Sequence, residues 1–191
     1  AYNISSEAVT GNDSRKITIE IEKIIVHSEY SDSNAFINNI ALVKLVAPVD
    51  VAGNPDLNTI CVPTLRAHKI KKYGQRRVIP VNVAWEPNEK NDAKSELLQE
   101  LGSTIVPNKD CMKKYNIDLK YKHQLYCMNA CLGYDGGAVE FINHQPSDDK
   151  YPWTLLGIAF PKGSNPDNSC CVYTSVEYYS DWIWKTIQQN I

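Results

Sequence analysis

The chain lacks an excess of either charge. Its 20 basic residues face 22 acidic ones, a net of −2 over 191 residues. That argues against a general nucleic-acid binder, because such domains carry a marked basic excess. It lacks a long apolar run as well. The richest stretch, residues 40–49, is broken by Lys44 and Pro48, so no segment reads as a membrane-spanning helix. The start, Ala1-Tyr2-Asn3-Ile4, has neither the basic region nor the apolar region of a signal peptide. The expectation is a removed leader, or a chain that begins inside a longer precursor. No internal repeat or low-complexity tract is present. No CxxC pair faces a second one and no two histidines stand at zinc spacing, so neither metal nor cofactor is expected. What remains, 43% hydrophobic and 22% charged residues, is ordinary globular composition and excludes disordered, collagen-like and coiled-coil readings.

The six cysteines stand at Cys61, Cys111, Cys127, Cys131, Cys170 and Cys171. The adjacent pair Cys170-Cys171, in a loop with Gly163, Asn165 and Pro166, is placed for bridging rather than for burial as thiols. A disulfide framework implies an oxidising, extracellular setting. Two glycosylation sequons, at Asn3 and Asn12, point the same way. The protein is therefore expected to be secreted.

Periodicity favours strands. Residues 16–27 alternate Ile17, Ile19 and Ile21 against Thr18, Glu20 and Glu22, which is strand patterning. Residues 39–46, 78–85 and 153–160 are short branched runs of buried-strand type, bounded by turn residues. Residues 92–99 are helix-like in composition but short. Only the tail, 176–189, carries a helical stripe, with Tyr179, Trp182, Ile183 and Ile187 at i, i+3, i+4 and i+8. Many short strands and one terminal helix describe an all-β barrel or sandwich.

Between the strands lies a basic cluster: Arg66, Lys69, Lys71, Lys72, Arg76 and Arg77, with no acid among residues 66–77. It reads either as a solvated connecting loop or as an exosite, a docking patch for a sulfated glycan or an acidic protein partner. A second basic stretch, Lys109, Lys113, Lys114, Lys120 and Lys122, is a further exosite candidate.

Four ordered segments resemble the chymotrypsin/trypsin-like serine proteases. Residues 24–30 (IIVHSEY) with 38–45 (NNIALVKL) resemble "HPxY … NDIALLKL". Residues 60–63 (ICVP) are similar to "xCLP". Residues 83–85 (VAW), 97–100 (LLQE), 105–106 (IV) and Cys111 resemble "GWG … LQxxxVPIV … C". Cys127, then residues 131–139 (CLGYDGGAV), resemble "C … CxGDSGGPL". The tail pieces 172–174 (VYT) and 181–183 (DWI) resemble "VYTxVxxYxxWI". The ordered set covers essentially the whole chain.

The resemblance implies two antiparallel six-stranded β-barrels packed side by side, with a C-terminal α-helix. The expected division is 1–65 for the remainder of the N-terminal barrel, 66–77 for a basic inter-barrel linker, 78–175 for the C-terminal barrel and 176–191 for the helix. The first barrel is expected to be incomplete in this chain, its leading strands belonging to a companion N-terminal chain or a lost precursor segment. The resemblance also implies a Cys111–Cys127 bridge, and one from Cys131 to Cys170 or Cys171. The cysteine matching Cys61 often ties the protease domain to an upstream segment, so Cys61 is an interchain candidate.

Acyl transfer on this fold needs a hydroxyl nucleophile, a His base and an Asp that orients the His. The nucleophile position is Asp135, which forms no useful acyl-enzyme and puts negative charge where an oxyanion must develop. The orienting position is Asn39, which cannot stabilise an imidazolium, a change costing about 10⁴ in kcat in a serine protease. None of His27, His68, His123 or His144 fits the family's catalytic His segment, and His27 matches a structural strand histidine. Tyr134 replaces the Asp that receives the new N-terminus on zymogen activation. Only Met128, Asn129 and Ala130 separate Cys127 from Cys131, so the pocket loop is short, with Asn129 near the pocket base. Ala159-Phe160-Pro161 stands where the substrate-pairing "SWG" segment lies, and Pro161 removes a backbone donor.

Together these changes point to a secreted, non-catalytic homologue. It would act by protein binding, as cofactor, regulator or decoy in an extracellular proteolytic cascade such as those of invertebrate immunity. The alternative is an active endopeptidase or hydrolase with an unconventional site completed by a missing N-terminal chain. A third reading is a structural subunit held through Cys61.

Overall fold

Where the sequence alternates or runs apolar for a few residues between turn signals, the chain forms strands, and its last stretch forms a helix. The computed structural model describes residues 17–55, 57–63, 79–84, 98–129, 137–142, 153–160 and 171–190. Among these residues the order is β1 (Ile21–Val26), β2 (Ala41–Leu45), β3 (Val81–Ala84), β4 (Gln99–Gly102) and β5 (Ile105–Val106). Then follow α1 (Asn108–Lys114), β6 (Leu125–Met128), β7 (Ala138–Ile142), β8 (Trp153–Ala159), β9 (Cys171–Ser175) and α2 (Ser180–Gln189).

Strands β3 to β9 form one antiparallel sheet in the order β4-β3-β7-β8-β9-β6-β5. Its two edge strands, β4 and β5, are consecutive and separated only by Ser103 and Thr104. Seven flat strands would hold their outer edges about 29 Å apart, whereas three residues reach at most about 11 Å. The sheet must therefore curl until its edges meet. The hydrogen bonds show the handover: Ser103 N–H donates to the Pro80 carbonyl at 2.8 Å, and Asn129 N–H donates to the Thr104 carbonyl at 3.1 Å. One bent strand thus serves as both edges, and the sheet closes as a barrel of six strands.

Alternation along β6 and β9 divides the core. Tyr126, Met128, Cys171 and Tyr173 face a cluster with Val139 and Leu156. Leu125, Cys127 and Val172 face the opposite way, against Cys111 and Met112 of α1 and against Ile37. Both faces of β9 are consequently buried along its whole length. A third cluster packs Val176, Tyr179 and Ile183 against Ile40, with Leu42, Val62, Leu155 and Ile158 around it. Strand β8 serves both sides by the same alternation, Leu156 toward the cluster with Val139 and Leu155 toward the third. A register shift with β7 between Val139 and Glu140 lets Leu155 and Ile158 share a side. The extra residue of such a bulge breaks the period of two.

Strands β1 and β2 form a separate antiparallel ribbon, with Ile24 opposite Val43 and Ile25 opposite Leu42. Lys23, Ile25 and His27 share one face. Lys23 Nζ donates to Asn190 Oδ1 at 3.0 Å, and the His27 ring lies 5.1 Å from that of Trp182. The ribbon therefore runs antiparallel alongside α2. The other face carries Ile24 and Val26, 59% and 51% exposed, and Val43 at 43%. The buried strand expected over 39–46 is thus corrected to a ribbon covered on one side. The strand expected from residue 16 starts only at Ile21, and a register shift between Ile21 and Lys23 interrupts its alternation.

The tail helix begins at Ser180 rather than at 176. Its buried stripe is Tyr179, Ile183 and Thr186, with Trp182 half-buried, while Ile187 is 37% exposed. The stripe thus ends at i+7 instead of i+8. Helix α1 had no expectation in the sequence. It closes on Asn116 at φ 53°, with Ile117 N–H donating to the Met112 carbonyl at 2.8 Å. This is a Schellman-type stop, with the C″ residue and C3 in one apolar cluster.

The implied Cys111–Cys127 bridge is not formed. The two sulfurs face different carbonyls: Cys111 Sγ donates to Cys171 O at 3.6 Å and Cys127 Sγ to Asn108 O at 3.8 Å. Cys171 is disulfide-bonded; Cys131 and Cys170 lie outside the described residues.

Candidate functional site

Asn39, the residue expected at a degenerate triad position, sits in the loop between β1 and β2. Its neighbour Asn38 is held in the left-handed region, at φ 55°. Asn38 N–H donates to the Tyr179 hydroxyl at 3.0 Å, and Asn38 Nδ2 donates to the Glu29 carbonyl at 3.2 Å. The Tyr179 hydroxyl also lies 2.8 Å from Gln124 Oε1. Burial pushes this hydroxyl well above the ordinary tyrosine pKa, so it stays a neutral donor. The turn that presents Asn39 is therefore fixed from inside.

Asn39 itself is occupied. Its Nδ2 donates to the Ala35 carbonyl at 2.8 Å, and its backbone carbonyl accepts from Thr174 Oγ1 at 3.0 Å. A carboxylate, having no N–H, could not make the first of these bonds. His27 lies beside this loop, with its Nδ1 accepting from Glu29 N–H at 3.2 Å. Its ring packs on Tyr179 and Trp182.

Thr174 pairs with Ile158, and Ala159 pairs with Tyr173, so Asn39 and the end of β8 lie on one side of the molecule. Ala159 N–H donates to the Gly137 carbonyl at 2.7 Å. Phe160 follows and packs on Phe36, centroid to centroid 5.1 Å, while Phe36 meets Tyr115 edge-on at 5.6 Å. The structure therefore brings Asn39, Ala159 and Phe160 together and adds Phe36 and Tyr115, which sequence reasoning missed. Their only signal was aromatic type without periodicity.

Asn129 is employed elsewhere. Its Oδ1 accepts from Thr104 N–H at 2.8 Å and from Ser103 Oγ at 3.3 Å, pinning the barrel's corner. Tyr134, Asp135, Pro161, His68 and His144 lie outside the described residues, as do Asn3, Asn12 and the cluster Arg66, Lys69, Lys71, Lys72, Arg76 and Arg77. Cys61 is half-buried and joins the N-terminal part to β8. Its N–H donates to the Trp153 carbonyl at 3.1 Å, and its carbonyl accepts from Leu155 N–H at 2.9 Å. Among the described residues, no three His, Cys, Asp or Glu side chains gather as a metal site, and no helix is long and apolar enough to cross a membrane.

Comparison with known proteins gives a consistent answer. The chain is 29% identical to Transmembrane protease serine 11G of Mus musculus over 174 residues, and 28% identical to that of Rattus norvegicus. Each alignment covers 87% of this chain, which spans 39% of the length of these relatives. It is 27% identical to Chymotrypsin-C of Rattus norvegicus over 197 residues, 98% of this chain and 67% of that protein. The Trypsin family matches residues 1–183. With its closed antiparallel barrel and C-terminal helix, the chain belongs to the trypsin family.

Proposed function

We propose that this chain is a secreted, non-catalytic member of the trypsin family that acts by binding protein partners, as cofactor, regulator or decoy in an extracellular proteolytic cascade. The observation that carries this reading is Asn39 at the position that should orient a catalytic histidine, with its amide spent on the Ala35 carbonyl. A neutral amide there supplies no charge to an imidazolium. Asp135 at the nucleophile position points the same way, because a carboxylate there opposes oxyanion formation. Tyr134 removes the carboxylate that would receive a freed N-terminus. The Phe36–Phe160–Tyr115 cluster and Pro161 support the reading on the substrate side.

The partners are proteins, with the exosite at Arg66, Lys69, Lys71, Lys72, Arg76 and Arg77 serving an acidic protein or a sulfated glycan. The exposed apolar face at Ile24, Val26 and Val43 is covered by a companion chain, with Cys61 as the interchain disulfide candidate. Asn3 and Asn12 carry glycans. Hydrolysis of a peptide library by the purified chain, by Asp135→Ala and by Asp135→Ser tests the catalytic half. All three are expected to give the same background rate. Turnover by the parent chain that Asp135→Ala abolishes would overturn the reading.

A further inference from the structure

Helix α1 and the turn after it border an open cleft of about 550 Å³, lined by Lys109, Asp110, Lys113, Asn116, Ile117, Asp118 and Leu119. We propose that this cleft is a docking site for an acidic peptide segment in which a carboxylate side chain neighbours an apolar one. The proposal deepens the protein-binding reading above by naming a second site and its ligand chemistry.

The charges decide the first half. Lys109 and Lys113 stand four residues apart on α1, hence on one face about 6 Å apart along the axis. Neither has an acidic partner within ion-pair distance among the described residues. Asp118 is already committed: its carboxylate accepts from Lys120 N–H at 2.9 Å and pairs with Lys120 Nζ at 3.3 Å. Asn108 Nδ2 donates to the Lys122 carbonyl at 2.6 Å, which ties the backbone at Lys122 to the start of α1. With Asp118 and Lys120 neutralising each other, Lys109 and Lys113 of the lining are opposed by Asp110, which leaves one net positive charge. The local field is positive, although the chain as a whole is negative.

The apolar lining decides the second half. Ile117 is buried at 8%, while Leu119 at the lip is 51% exposed. The Ile117 wall is fixed by the Schellman-type stop at Asn116, which drives Ile117 back onto Met112. A densely sulfated polymer gains nothing from Ile117 and Leu119 and meets Asp110. A peptide carrying one or two carboxylates beside a leucine-like side chain satisfies both parts of the lining.

The test is fluorescence-anisotropy binding of a labelled peptide of four Glu-Leu repeats, compared with a Lys-Leu counterpart and a heparin decasaccharide, at 50 mM and 300 mM NaCl. The Glu-Leu peptide is expected to bind and to weaken with salt. Charge reversal by Lys109→Glu with Lys113→Glu should lower its affinity at least tenfold, and Leu119→Ser severalfold. The milder pair Lys109→Gln and Lys113→Gln, checked by thermal melting, guards against a misfolded variant. Peptide affinity unmoved by these substitutions overturns the proposal. So does heparin binding that depends on Lys109 and Lys113 but not on Leu119. Active-site labelling of a chain that still binds the peptide would overturn only the non-catalytic reading.

Discussion

Asn38 and Tyr179, 141 residues apart in sequence, meet at two points. The Asn38 N–H donates to the Tyr179 hydroxyl at 3.0 Å, and that hydroxyl lies 3.1 Å from Asn38 Oδ1. This contact ties the loop that carries Asn39 to the residue that opens the C-terminal helix.

Tyr179→Phe keeps the ring and removes the hydroxyl. It leaves the Asn38 N–H and Gln124 Oε1 short of a partner in a buried place, so unfolding free energy should fall by about 1–3 kcal/mol. The pH dependence has a definite sign. The folded protein holds the Tyr179 hydroxyl neutral beyond the pH at which an unfolded tyrosine ionises. Its contribution is therefore complete below about pH 10 and declines as pH rises above that. Urea melts at pH 8 and pH 11 should show a smaller loss across that interval in Tyr179→Phe than in the parent.

Gly157 sits where β8 crosses β9, and an added Cβ would come within 3.1 Å of Tyr173 Cβ and 3.3 Å of the Thr174 carbonyl. Both neighbours belong to a fully buried strand. Gly157→Ala should cost about 1–3 kcal/mol through overpacking, and Gly157→Val more. Chemical denaturation measures both; equal stability of parent and Gly157→Val contradicts the close packing.

Asn116 holds the left-handed turn that ends α1. A β-branched residue is penalised there, so Asn116→Val should cost about 1–2 kcal/mol. Glycine tolerates the conformation, and Asn116→Gly should change stability by less than about 1 kcal/mol. Thermal melts of the two variants should separate in that order.

How far the fold was legible follows from these places. Strand β8 could be read from 153–160 because its residues are apolar and branched, and the tail helix because its apolar residues recur on one face. Closure of the barrel was implied only by resemblance, since it depends on Ser103 and Thr104, two ordinary polar residues at a strand corner. The exposure of Ile24, Val26 and Val43 was invisible to composition, because a branched run reads the same whether one face or both are covered. Helix α1 was missed because seven residues are too few for a periodic signal, although Asn116 and the lysines of its last turn marked its end. At the site, Asn39 could be located by its neighbours Asn38 and Ile40. The engagement of its amide with Ala35, and of Asn129 with Ser103 and Thr104, required coordinates. The Cys111–Cys127 pairing was implied by the resemblance alone, whereas in the structure the two sulfurs point at different carbonyls.

The most direct test of the non-catalytic reading is intact-mass spectrometry of the purified chain after exposure to a fluorophosphonate probe, with active trypsin as the positive control. The predicted result is an unchanged mass for this chain under conditions that label trypsin completely. A single stoichiometric phosphonyl adduct, formed with loss of fluoride and absent when the chain is denatured before exposure, would contradict it.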